Sequence, residues 1–108
     1  MRVMISQPMN GKNNEQIEQE RKTIVEKLKK MHIDVVNTIF NFELENVINE
    51  PVYYLAKSIE AMANVDAVLF MNKWQMARGC LIEHMVAEKY KIKILYEDFV
   101  TEKEAKLR

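Results

Sequence analysis

The chain has 108 residues, 48% of them hydrophobic, and its 16 basic and 16 acidic side chains cancel. That length and apolar content fit one domain with one sizeable core and exclude a disordered chain. Zero net charge removes the basic excess that a nucleic-acid polymer or an anionic membrane would attract, no apolar run approaches a span of about 20 residues, and one cysteine cannot close an internal disulfide, so a cytoplasmic setting is expected.

The N-terminal stretch RVMIS (2–6) is a short apolar run that reads as a buried strand rather than a signal peptide. It breaks at QPMNGKNN, where Pro8, Asn10 and Gly11 mark a loop. From Asn14 to about Met31 the apolar residues Ile17, Ile24, Val25, Leu28 and Met31 share one helical face, and Lys and Glu cover the other. IDVVNTIF (33–40) is β-branched and reads as a second strand, and NFELENVINE (41–50) reads as loop. Pro51 sits where a helix would start, with Val52, Leu55, Ile59 and Met62 at helical spacing to about Asn64. DAVLFM (66–71) is the most strand-like stretch. After NKWQMARG a third helix is expected from about Gly79 to Lys91, then a last strand in IKILYE (92–97). The charged tail, 98–108, is expected outside the domain of residues 1–97, as a short helix or a frayed end.

Strands alternating with helices imply an α/β fold: a doubly wound three-layer sandwich, flavodoxin- or Rossmann-like, with a mainly parallel sheet of four to five strands and the order 2-1-3-4. Such sheets bind ligands beyond the carboxyl ends of their strands, where the winding direction switches. Here the switch falls between the first and third strands and brings SQPMNG together with NKWQMARGC. The segment 72–85 also holds the only tryptophan, the only cysteine, one of two glycines and one of two histidines.

Gly79 and Glu83 are four apart at a helix start and so share a face. Glycine admits close approach of a ligand or another backbone, and the free N–H groups of a helix start favour an anion. Glu83 then points into the crevice, although the spacing alone fits a surface glutamate better. Trp74 can stack on a base or cover the sheet end. Arg78 suits a phosphate or carboxylate, with a surface salt bridge as the plainer reading. From the opposite loop Ser6, Gln7, Asn10 and Gly11, with Pro8 and Met9 among them, offer hydroxyl, amide and backbone donors. Cys80 and His84 stand one turn apart, but a structural zinc needs about four ligands and His32 lies at the far end of the first helix. A packed Cys and His is the expectation, with no metal and no cofactor. Tyr53 and Tyr54 either line the pocket or pack at a subunit interface, and the eight methionines fill core or interface.

Three segments carry a resemblance. GCLIE followed by HMVAEKY resembles the G-T-A-x-E-x-G-x-A motif of the nucleoside 2-deoxyribosyltransferase family. VMISQPMNG is similar to that family's first strand and loop, I-Y-x-(A/S)-G-P, and SIEAMANVDAVLF to its second helix and third strand. The likeness extends to about Glu97 and is strongest to a short, phage-associated branch. The resemblance implies that Glu83 is a nucleophile, attacking the anomeric carbon of a deoxynucleoside and passing the sugar to another base or to water. It also implies a homo-oligomer. Three positions depart from the family pattern: Met4 stands for its tyrosine, and Ser58 and Ala77 for two aspartates that handle the base and the sugar.

The expected function is therefore N-glycosidic cleavage or deoxyribosyl transfer on a deoxynucleoside or its 5′-monophosphate. The alternative is a protein that binds a nucleotide or ADP-ribose-like ligand without turning it over. A third reading is an interaction module whose Trp74 and tyrosines are buried between subunits.

Overall fold

The computed structural model describes residues 1–36 and 46–100. Four strands, β1 (Arg2–Ser6), β2 (Asp34–Val36), β3 (Ala67–Phe70) and β4 (Lys93–Tyr96), form one sheet in the order β2-β1-β3-β4. Every neighbouring pair is parallel. Val3 to Ser6 of β1 lie beside Ala67 to Phe70 of β3, residue for residue. Both central strands are buried along almost their whole length, which is why they read as unbroken apolar runs instead of alternating ones.

The pleat sends alternate side chains to two separate cores. On one face Val3, Ile5, Ala67 and Leu69 meet Ile24 and Leu28 of α1 (Asn14–Lys30). On the other face Met4, Val68 and Phe70 meet Met62 of α2 (Glu50–Met62) and Ala87 of α3 (Arg78–Lys89). The doubly wound α/β sandwich with the order 2-1-3-4 is therefore observed.

Local chemistry sets the helix ends. Asn13 caps α1 by accepting from Gln16 N at 2.9 Å, while Gln16 Oε1 accepts from Asn13 N at 3.0 Å. Asn49 caps α2 through Val52 N at 3.1 Å, with Pro51 in the first turn where a missing N–H costs nothing. Gly11 adopts φ +73°, the left-handed turn conformation that glycine takes without penalty.

Several boundaries differ from the expectations. The second strand is three residues long within the described part, and its expected continuation over 37–40, like 41–45 of the expected loop, lies outside the described residues. Val52 is 58% exposed although its spacing places it on the apolar stripe of α2. Only the C-terminal half of that helix, from Ile59 on, reaches the core, and the first turns overhang a cavity. A short 3-10 turn, Trp74–Met76, precedes α3 and was not expected. Residues 97–100 are helical, and Val100 is fully buried against the α1 face of the sheet. The core thus extends past residue 97, while 101–108 lie outside the described residues. No helix of the described residues is long and apolar enough to cross a membrane.

Candidate functional site

At the carboxyl ends of β1 and β3 the chain leaves the sheet toward opposite faces, α1 on one side and α3 on the other. A cavity of about 620 Å³ opens there, within the usual size of small-molecule sites. Its floor is Ile5 and Ser6 at the end of β1. The following loop contributes Gln7, Met9 and Asn10, and α1 contributes Asn14, Ile17, Glu18 and Arg21. The first turns of α2 bring Pro51, Tyr54, Leu55 and Ser58. The start of α3 supplies Ala77, Arg78, Gly79, Cys80 and, one turn in, Glu83.

Glu83 is the chemical centre. It is 8% exposed, and Ser6 donates its hydroxyl to Oε2 at 2.6 Å. Burial pushes the Glu83 carboxyl above the usual glutamate range, and hydrogen bonds from Ser6 and Ser58 work against that rise. The buried Cys80 thiol shares Ser6. It too is raised, by burial above all, against the Ser6 hydrogen bond and with a smaller upward push from the Glu83 charge. Ser6, Ser58, Cys80 and Glu83 therefore form one connected polar group, with Ser6 and Ser58 turned to the carboxylate. A carboxylate held in this way is oriented and partly shielded from water, which a nucleophile or an electrostatic stabiliser needs.

Among the described residues no side chain caps the start of α3, so its first N–H groups stay available beside Arg78. A Cβ added at Gly79 would meet nothing within 4 Å, so the backbone there faces open space. Gln7 is clamped by its amide N–H₂, which donates to Ile17 O at 2.8 Å, and its Oε1 has no partner among the described residues.

Of the residues expected at a site, Ser6, Gln7, Met9, Asn10, Ser58, Arg78, Gly79, Cys80 and Glu83 are brought together around this cavity. Three are not. Pro8 is buried in the loop and Gly11 forms its exposed turn, and neither lines the cavity. Trp74 is also elsewhere. Its ring stacks on His84 at 4.0 Å and 10°, with Phe70 at 5.6 Å and Tyr96 at 6.1 Å. The turn Trp74–Met76 folds the indole back onto the apolar face of the sheet, where it covers the Phe70 cluster instead of the ligand crevice.

His84 belongs to that same ladder. Its Nδ1 pairs with Glu88 at 2.7 Å and its Nε2 with the Tyr96 hydroxyl at 2.9 Å. Both ring nitrogens are engaged there, whereas Cys80, one turn earlier on α3, lines the cavity. Among the described residues no three His, Cys, Asp or Glu side chains gather as a metal site. Met4 is 1% exposed, inside the core with Val68 and Phe70.

Tyr54, expected either to line the pocket or to pack between subunits, does line it, and Arg21 is a wall residue that the expectations did not name. Tyr54 supplies the cavity's aromatic ring, edge-on to Tyr53 at 5.9 Å. Arg21 is only 7% exposed, and burial pulls its guanidinium below the usual arginine range. The signal for Arg21 was present: it occupies the apolar stripe of α1, one turn after Ile17 and three residues before Ile24. A charge on a buried stripe is seldom accidental.

A family model described as a domain of unknown function, DUF4406, matches residues 1–96. No curated protein and no solved structure matches the chain.

Proposed function

The chain belongs to the DUF4406 family, and from the chemistry of its cavity we propose that it cleaves the N-glycosidic bond of a deoxynucleoside or a deoxynucleoside 5′-monophosphate through a covalent intermediate on Glu83. The observation that carries this reading is the buried Glu83 carboxylate, aimed into a cavity of small-molecule size and held by Ser6 at 2.6 Å. Attack on the anomeric carbon needs an ionised, oriented carboxylate next to a water-poor space. The Ser6 and Ser58 hydroxyls favour the ionised form that burial opposes. Arg78 and the uncapped start of α3 suit a phosphate or another anionic group on the sugar. Tyr54 takes the stacking role expected of Trp74. The sugar then passes to water or to a second base.

A second reading, binding of a nucleotide or ADP-ribose-like ligand without turnover, draws on one observation. Ala77 lines the cavity with a methyl group, and Met4 lies in the core, so neither can move a proton at the site. The exposed Leu81 and Met85, one turn apart on α3, support the accompanying proposal of a homo-oligomer, and a single cysteine fits the proposed cytoplasmic setting. Light scattering at rising concentration checks the oligomer: a monomer at every concentration removes it.

The deciding experiment is incubation with deoxynucleosides and their 5′-monophosphates, followed by chromatography for free base. Release by the wild type and none by Glu83→Ala is the expected result. Equal release by the variant, or none by the wild type at high enzyme concentration, overturns the enzymatic reading. Thermal stabilisation by a nucleotide without product would then select binding, with about 2.7 kcal/mol gained at 100 times the dissociation constant.

A further inference from the structure

We propose that Glu18 is the general acid–base of this reaction, giving a proton to the departing base and taking one from the attacking water. The proposal rests on Glu83 as the nucleophile and names the second group that this chemistry requires. A displaced base leaves with the electron pair of the broken bond and needs a proton in return. A glycosyl ester is cleaved by water only as that water loses a proton. The nucleophile cannot serve both steps, so a second proton carrier has to face the sugar.

Few side chains around the cavity qualify. Arg21 and Arg78 keep their protons. Ser6 and Cys80 are already engaged with each other and Glu83 on the nucleophile's side. A phenol such as Tyr54 is a far weaker acid than a carboxyl group. Glu18 is the one other carboxylate among the described lining residues. It stands on α1 beside the buried Ile17 and Arg21, but is itself exposed at the rim. Two other glutamates of the helix are paired: Glu20 with Lys12 at 2.8 Å and Glu26 with Lys22 at 4.0 Å. Among the described residues Glu18 has no such partner.

The placement also fits a reaction between two carboxylates. Helices α1 and α3 cover opposite faces of the sheet, so Glu18 and Glu83 flank the cavity from opposite walls. Two carboxylates on either side of the scissile bond are the usual arrangement for glycosyl transfer through a covalent intermediate. Glu18 is exposed, so water can reach it.

The step balances. The Glu83 carboxylate oxygen bonds to the anomeric carbon while the carbon–nitrogen bond breaks. Its electron pair goes to the base nitrogen, which takes the proton of the Glu18 carboxyl group. In the second half a water oxygen attacks the same carbon and its proton goes to the Glu18 carboxylate. The ester bond breaks with its electron pair returning to Glu83, and both groups regain their starting states.

The test uses Glu18→Gln, an exposed and isosteric change, on two substrates: 2′-deoxyguanosine 5′-monophosphate and its N7-methylated form, whose base leaves neutral without a proton. The variant is expected to release guanine about 10²–10⁴-fold more slowly than wild type. With the methylated substrate it should form the Glu83 glycosyl ester at close to the wild-type rate, accumulate it by mass spectrometry, and turn over again when azide is added to give the glycosyl azide. An unchanged rate on the unmodified substrate overturns the proposal. So does an equal loss on both substrates, which marks a merely structural role. Wild-type protein that releases base from neither substrate overturns the Glu83 reading, and this proposal with it.

Discussion

Glu83 concentrates the consequences of burial in one side chain. Its folded carboxyl titrates above the ordinary glutamate range, chiefly because it is buried. The folded protein therefore binds this proton more tightly than the unfolded chain does. Stability falls as pH rises from the ordinary glutamate range through the raised value, and the full cost is present above it. Replacing Glu83 with Gln should raise the melting temperature at neutral pH, and the gap to wild type should close as pH falls to the ordinary range. A melting series across pH checks this, and a constant gap would contradict it. In the proposed reaction the acid limb of kcat/KM follows the same group. Ser6→Ala removes a hydrogen bond that favours the anion, so the limb should move to higher pH. A hydrogen bond to a charged group contributes about 1.5–3 kcal/mol, so activity below the limb should drop roughly 10- to 100-fold.

At the scale of the elements, caps and faces can be separated by mutation. The Asn13–Gln16 capping box satisfies donors at the start of α1, the helix that carries Ile17, Glu18 and Arg21 to the cavity. Asn13→Ala should cost about 1 kcal/mol in denaturant unfolding. Helix α3 has two working faces: Cys80 and Glu83 turn to the cavity, whereas His84 and Glu88 turn to the Trp74–Tyr96 ladder. Trp74→Ala should destabilise the fold by roughly 2–3 kcal/mol, below the 3–5 of a fully buried aromatic, and leave nucleotide affinity unchanged. A loss of affinity at preserved stability would return Trp74 to the site. The pair Arg78 and Gly79 was legible because a helix start needs few words of sequence to announce itself. The two faces were not, since the turn Trp74–Met76 rotates the indole away in three residues that carry no strong local signal.

In the whole molecule the sheet order decides where function sits. Strands β1 and β3 are central and buried, β2 and β4 are edges. Amides of β1 and β3 should be the slowest to exchange with solvent, and those of β2 the faster ones, in a native-state exchange experiment. Fast exchange in β1 would argue against this sheet order. The sequence by itself determined the alternation of strands and helices, the parallel sheet, its order and the crevice at the switch point. These follow from the period of apolar residues and from the handedness of crossovers, which are local or general. It also brought Glu83 forward as a candidate, although spacing from a helix start, which is local, left a surface glutamate the plainer reading. Tertiary structure alone decided which side chains face one another across the crevice. Ser6 reaches Glu83 over 77 positions of chain, α1 turns Glu18 and Arg21 toward it, and Tyr54 replaces Trp74 as the aromatic wall. Such contacts depend on how two helices pack on opposite faces of one sheet, and no local period encodes that.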